Sequence, residues 1–323
     1  MSLGIQILIL VFGLILVVVG ADVLVEGASS IARRSGVSEF VIGLAIVGFG
    51  TSLPELVVRV TGALEGNSAI AIGNVIGSNI INSQFILAIS ALVAPIAITR
   101  SNKFRDIPIT LLATFLVILC GLSVSLLRIG HVNGLSRIAG AILVALFICY
   151  LVYCFLSDKP AETPDEVDKK KIYPMWMAVI LVVAGLGALV IGGRFFVNSA
   201  VKIARMIGVS DKFIAITVLA LGTSLPELAT SIVALAKGRS QLALGNILGS
   251  NVFNLLLILG VSALISPMGF SSVTLVDAGA LALSAVLIWT SVYTGKKNYI
   301  DRFDAVLMLL AFAAYMVWLF MKL

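Results

Sequence analysis

Two short motifs, each written twice, hold the side chains that could do chemistry. Residues 50–55 read GTSLPE and residues 222–227 repeat it without change. Residues 73–79 read GNVIGSN and residues 245–251 read GNILGSN, at the same offset of 172. Each copy supplies one carboxylate, Glu55 or Glu227. Around it stand hydroxyls, Thr51, Ser52 and Ser78 in one copy and Thr223, Ser224 and Ser250 in the other, with the amides Asn82 and Asn254 just beyond. No His or Cys belongs to the set. Such hard oxygen donors suit Na+ or Ca2+ rather than Zn2+ or copper. Two carboxylates can balance one Ca2+ or a pair of Na+, so the two cations could compete for overlapping positions, as coupled exchange requires.

Pro54 and Pro226 each remove a backbone donor and push the preceding residue out of helical geometry, with Gly50 and Gly222 loosening the chain just upstream. A broken helix is expected in each copy, its carbonyls exposed beside Thr51, Ser52, Thr223 and Ser224. Glu55 lies ten residues from Glu65, and Glu227 ten from Lys237. That is about 15 Å at helical rise, half the hydrocarbon core of a bilayer. Both carboxylates are therefore expected at the membrane midplane, where ionisable side chains are costly and usually functional. The bland alternative is a kinked helix whose Glu pairs with a neighbour. Gly73, Gly77, Gly245 and Gly249 are expected to allow close helix packing. Ser78 with Asn82, and Ser250 with Asn254, are spaced to share one helical face and can point together at the carboxylates. Their alternative is hydrogen bonding between helices.

The elements that must position these groups are membrane helices. The chain has 323 residues, is 60% hydrophobic and only 12% charged, with a mean hydropathy of +1.15. A soluble domain averages roughly 45–50% apolar and about 25% charged. Apolar runs approach the roughly 20 residues of a membrane helix rather than the roughly 10 of a barrel strand. Spans are expected near 3–32, 38–65, 68–95, 106–127, 135–157, 174–205, 210–237, 241–266, 273–295 and 302–322. The first run has neither a basic leader nor a small-residue cleavage site, so it reads as a retained span. The one clearly polar stretch between spans, DKPAETPDEVDKKK at 158–171, cannot bury a core and reads as a linker. Cys120, Cys149 and Cys154 lie within apolar runs and form no metal or disulfide pattern, and His131 has no partner pattern.

The same offset aligns RRSGVS at 33–38 with RMIGVS at 205–210, and Pro95 with Pro267. Two copies with an odd number of spans must face opposite ways, an arrangement that commonly places the substrate site near the midplane. The expected fold is all-α and membrane-integral, with ten transmembrane helices in two inverted-topology five-helix repeats. Residues 1–157 form the first repeat, 158–173 a cytoplasmic linker and 174–323 the second repeat. Lys and Arg concentrate in the loops on the linker side, among them Arg33, Arg34, Arg100, Lys103, Arg105, Lys169, Lys170 and Lys171. That bias puts the linker in the cytoplasm and both termini outside. It also accounts for the net charge of +6 without invoking nucleic acid.

Paired GTSLPE and GNxxGSN motifs in inverted halves resemble the sodium/calcium exchangers of the cation/Ca2+ antiporter superfamily, prokaryotic type, over essentially the whole membrane chain. The resemblance implies helices 2, 3, 7 and 8 around the ions, with helices 1 and 6 as long tilted gates that slide to switch access. It implies that Glu55 and Glu227 bind Ca2+ beside the carbonyls of Thr51 and Thr223. The hydroxyls of Ser52, Ser224, Ser78 and Ser250 would serve Na+, helped by the Gly48 and Ala220 carbonyls, with Asn82 among the central ligands. Asn254 stands where some relatives, including the K+-dependent exchangers, carry Asp, and in this it resembles the K+-independent branch.

The expected activity is electrogenic Na+/Ca2+ antiport by alternating access, with Ca2+ and Na+ as transported ions, no cofactor, the bilayer as surroundings and a monomer as the working form. The expected location is the cell (inner) membrane. The nearest rival is a Ca2+/H+ or other cation/proton antiporter, in which the glutamates carry protons; the flanking hydroxyls and amides argue against it. A cation channel fits poorly with an inverted duplication within one chain. An enzyme is not expected, since no nucleophile–base pair or catalytic metal cluster is present. Arg59 departs from the repeat, standing where the other copy has Ser231. It could snorkel outward, plug the outer pathway or alter ion specificity. Asp22 aligns with Arg194, so an ion pair between helices 1 and 6 is conceivable, and Glu26 aligns with Asn198.

Overall fold

The computed structural model describes residues 2–53, 55–56, 68–123, 125, 133–158, 172–208, 220–270 and 273–322. Arg59, Pro54 and His131 lie outside the described residues, as do the linker residues 159–171. In chain order the helices are α1 (Leu3–Ser35), α2 (Glu39–Thr51), α3 (Ile72–Val93), α4 (Asn102–Gly121), α5 (Arg137–Ser157), α6 (Met175–Met206), α7 (Leu225–Ala236), α8 (Ser240–Ile265), α9 (Leu275–Ser291) and α10 (Arg302–Met321). Seven of them are long and apolar enough to cross a membrane; α2, α7 and α9 are shorter.

The chain forms two compact units, one of Met1–Thr51 with Ser157–Asn246, the other of Ser52–Leu156 with Ile247–Leu323. Each takes elements from both sequence repeats. In the first, α1 and α6 pack along their length on a track of small residues spaced by seven. Gly13 faces Gly192, Gly20 faces Gly185 and Gly27 faces Ala178. A Cβ at Gly20 would lie 2.9 Å from Leu189 N, and one at Gly185 would lie 2.6 Å from Leu24 N. Apolar side chains gain little by leaving lipid for a helix partner, so close backbone approach supplies the attraction instead.

The same unit ties α1 to the end of α7. Lys237 Nζ lies 2.8 Å from Asp22 Oδ1 and 2.6 Å from Glu26 Oε1. Asp22 is thus bound to Lys237, and the pairing with Arg194 suggested by repeat alignment does not describe its contact.

In the second unit, two strand pairs of two residues each fasten the loops. β1 (Ile96–Ala97) pairs antiparallel with β4 (Tyr299–Ile300), and β2 (Gly134–Leu135) with β3 (Met268–Gly269). Each pair joins a segment of one sequence half to a segment of the other. Hydropathy gives no sign of such short bridges.

A buried polar knot anchors α4 to α5 in this unit. The fully buried Asp106 carboxylate accepts from Arg105 Nε at 2.7 Å, Asn102 Nδ2 at 3.0 Å and Tyr150 Oη at 2.9 Å. Removing one partner of a buried charge pair costs about 3–5 kcal/mol. Asp106→Ala should therefore lower the thermal midpoint of the detergent-solubilised protein, and Tyr150→Phe should do so by less, because it removes one neutral donor.

π-helical turns interrupt α2 at Gly43–Gly48, α3 at Ile81–Ile86 and α8 at Phe253–Ile258. The last two stand at the repeat offset of 172. Asn82 and Asn254 are each the second residue of their π turn. Single π turns inside α-helices are rare and concentrate at functional sites.

Candidate functional site

Each compact unit carries one of the two motif carboxylates. Glu227 belongs to the first unit and Glu55 to the second. Both are buried, at 2% and 5% exposure, and a buried carboxylate requires compensation by a cation or by hydrogen bonds.

In the first unit the second GTSLPE copy breaks its helix as expected, but the proline does not sit at the break. A short helix, Ala220–Thr223, ends at Ser224, whose φ of −92° and ψ of 7° leave the helical region; α7 begins at Leu225 with Pro226 in its first turn. A proline there costs no hydrogen bond, because the first-turn N–H groups have no helical partner anyway. Glu227 follows immediately, in the first turn, where the helix dipole favours a negative charge. Ser224 is buried, whereas the Thr223 side chain is exposed. Ala220 opens the short helix, and Gly48 closes the π turn of α2.

Thr51 ends α2. Its Oγ1 shares one proton between Gly48 O at 3.3 Å and Asn246 Oδ1 at 3.4 Å. The Asn246 amide donates in turn to Glu227 O at 3.2 Å and Ser231 Oγ at 2.9 Å. Thr51, Glu227 and Ser231 are thereby collected around one amide. Two glycines make this approach possible. A Cβ at Gly43 would lie 2.5 Å from Leu242 O, and one at Gly245 would run into Phe40 O, so α2 and α8 touch backbone to backbone.

The second unit holds Ser52, Glu55, Ser78, Asn82, Ser250 and Asn254, all buried. The turn after the break repeats that of the other copy: Leu56 N donates to Ser52 O at 3.0 Å, as Leu228 N does to Ser224 O at 3.1 Å. Ser78 Oγ donates to Asn74 Oδ1 at 3.3 Å, one helical turn back. The two GNxxGSN helices are joined where Asn251 Nδ2 donates to Ser83 Oγ at 2.8 Å. Asn82 Oδ1 is buried and accepts no hydrogen bond among the described residues. A buried acceptor left without a donor costs free energy that a bound cation would recover.

Sequence reasoning missed Asn246, Ser231 and the Asn251–Ser83 link. The signal was present: Asn246, Ser250 and Asn254 recur every four residues, as do Asn74, Ser78 and Asn82, so the polar stripe is one turn longer than the ligand set drawn from it. Among the described residues no group of three or more His, Cys, Asp or Glu side chains converges as a metal site. Cation binding here would rest on few carboxylates and many neutral oxygens.

Comparison with known proteins agrees with this chemistry. A family model described as "Sodium/calcium exchanger protein" matches residues 5–156 and 177–321. The sodium/calcium exchanger MaX1 of Methanosarcina acetivorans is 30% identical over 97% of this chain and 98% of its own. The inner membrane protein YrbG of Escherichia coli is 34% identical over 80% of this chain and 79% of its own. Among solved structures, the sodium-calcium exchanger NCX_Mj soaked with zero Na+ and Ca2+ superimposes with a TM-score of 0.82 at 30% identity, covering 98% of this chain and all of that one.

Proposed function

The chain belongs to the sodium/calcium exchanger family, whose members are membrane transporters and not enzymes, and we propose that this member is an electrogenic, K+-independent Na+/Ca2+ antiporter working by alternating access. Ca2+ is held by Glu55 and Glu227 with the carbonyls of Thr51 and Thr223. Na+ takes the hydroxyls of Ser52, Ser224, Ser78 and Ser250 and the carbonyls of Gly48 and Ala220. Asn82 and Asn254 complete the ligands as neutral amides, and the amide at Asn254 underlies the K+ independence. Each repeat is a five-helix half of opposite topology, with the residue 158–173 linker in the cytoplasm, both termini outside and a monomer as the working unit. A name such as "Inner membrane protein" on a relative supports the cell membrane as its location.

One observation carries the reading. Two buried carboxylates occupy identical positions in a duplicated helix-breaking motif, and the accompanying groups are neutral oxygens rather than proton-shuttling bases. Several Na+ against one Ca2+ moves net positive charge in the Na+ direction. Vesicles loaded with Na+ and diluted into Na+-free choline medium should therefore take up radioactive Ca2+ without K+ on either side, and faster under an inside-positive potential. Uptake that ignored the Na+ gradient and followed a pH gradient would replace this reading with a Ca2+/H+ antiporter.

A further inference from the structure

Asn246 is buried, and both of its N–H donors are used within the protein. An amide side chain has two N–H donors and one oxygen. One donor goes to Glu227 O, the other to Ser231 Oγ, and the oxygen takes the Thr51 hydroxyl. Both N–H groups are thereby committed to α7, and the oxygen keeps one lone pair beyond the Thr51 contact.

What it touches is more informative. Thr51 is the last residue of α2 and Glu227 lies in the first turn of α7. Both lie at helix ends next to a break, where no helical ladder continues to fix direction. Asn246 lies within an unbroken stretch of α8, and the Gly43 and Gly245 contacts hold α8 against α2 at backbone distance. One amide on a continuous helix thus clamps two loose helix ends.

We propose that Asn246 is a positioning residue for cation binding: it holds the Glu227 turn in register with Thr51, and Ser231 serves as its second anchor on α7. This rests on the reading of Glu227 as a cation ligand. In the other copy the counterpart Asn74 accepts the hydroxyl of its own helix neighbour Ser78, and the residue aligned with Ser231 is Arg59. With the clamp removed, the Glu227 turn must be ordered when the ion binds, so the loss falls on KM rather than on the saturated rate.

The test compares wild type, Asn246→Ala, Asn246→Asp, Ser231→Ala, Ser231→Thr and Glu227→Gln in Na+-loaded proteoliposomes, with radioactive Ca2+ varied outside. Asn246→Ala should raise the KM for Ca2+ about tenfold, with maximal uptake within about twofold of wild type. Asn246→Asp keeps the acceptor but loses both donors and should act in the same direction. Ser231→Ala should raise KM about threefold, and Ser231→Thr, which keeps the hydroxyl, should restore it. Amide hydrogen exchange in detergent supplies a readout that needs no transport: residues 225–231 should exchange faster in Asn246→Ala while α1 and α6 stay unchanged. Wild-type KM and wild-type exchange in Asn246→Ala, alongside inactive Glu227→Gln, would overturn the clamp and leave the exchanger reading standing. Should Asn246→Ala not fold, Ser231→Ala decides, and an unchanged KM and exchange rate there overturn the proposal. An unchanged Glu227→Gln would overturn the reading on which it rests, and faster exchange at 225–231 would then mark a merely structural tie.

Discussion

Glu227→Gln and Glu55→Gln are each expected to reduce Na+-driven Ca2+ uptake by roughly a hundredfold or more, equivalent to about 3 kcal/mol, while leaving the protein folded. Glutamine keeps the shape and one oxygen but removes the charge that balances Ca2+. The fold should tolerate this because the contact made by Asn246 is to the Glu227 backbone carbonyl, which the substitution keeps. Both side chains are almost fully buried. The thermal midpoint of the ion-free protein, measured beside uptake, separates loss of the charge from loss of the fold. Uptake surviving either substitution would mean that the other carboxylate suffices, and the paired-carboxylate reading would fail.

Gly20→Ala is expected to weaken the packing of α1 on α6. Its new methyl would stand 2.9 Å from Leu189 N and from Ala188 Cβ. Backbone cannot give way as a flexible side-chain tip can, so α1 and α6 must separate. Overpacking of this kind costs about 1–3 kcal/mol, or a midpoint lower by about 1–5 °C. Gly187→Ala on the same helix is the control, since a Cβ there meets nothing within 4 Å. Alanine also favours the helix by about 1 kcal/mol over glycine, so the control should hold or gain stability. Equal midpoints for the two variants would show that the glycine track does not hold the helices together.

Much of this was legible in the residues. The duplicated GTSLPE marked the helix break and both buried glutamates, because proline, glycine and an intramembrane carboxylate each carry a local physical meaning. Of the ten spans expected from composition and run length, seven stand as long apolar helices among the described residues. The short strand pairs and the knot around Asp106 were not legible, since Arg105 reads as a loop charge and Asp106 as the edge of a span until Tyr150 and Asn102 are brought to them by the fold. The π turns at Asn82 and Asn254 also left no mark, because a one-residue slip in the helical ladder does not change hydropathy. The seven-residue glycine spacing in α1 was present in the sequence, but without the facing helix it is indistinguishable from the glycine common in membrane spans. Asn246 was hidden by its neighbours: the same stripe offered Ser250 and Asn254 as donors, and only the contacts with Thr51, Glu227 and Ser231 separate a clamp from a ligand.

The central claim is that Ca2+ and Na+ draw on one set of oxygens anchored by Glu55 and Glu227. Equilibrium binding of radioactive Ca2+ to the solubilised protein, titrated at rising Na+ against a choline control of equal ionic strength, tests it most directly. The account predicts an apparent Kd that climbs with more than the first power of Na+ concentration, and no measurable binding in Glu227→Gln. A Ca2+ affinity indifferent to Na+ but weakened by acid would contradict it, and would assign the two carboxylates to protons instead.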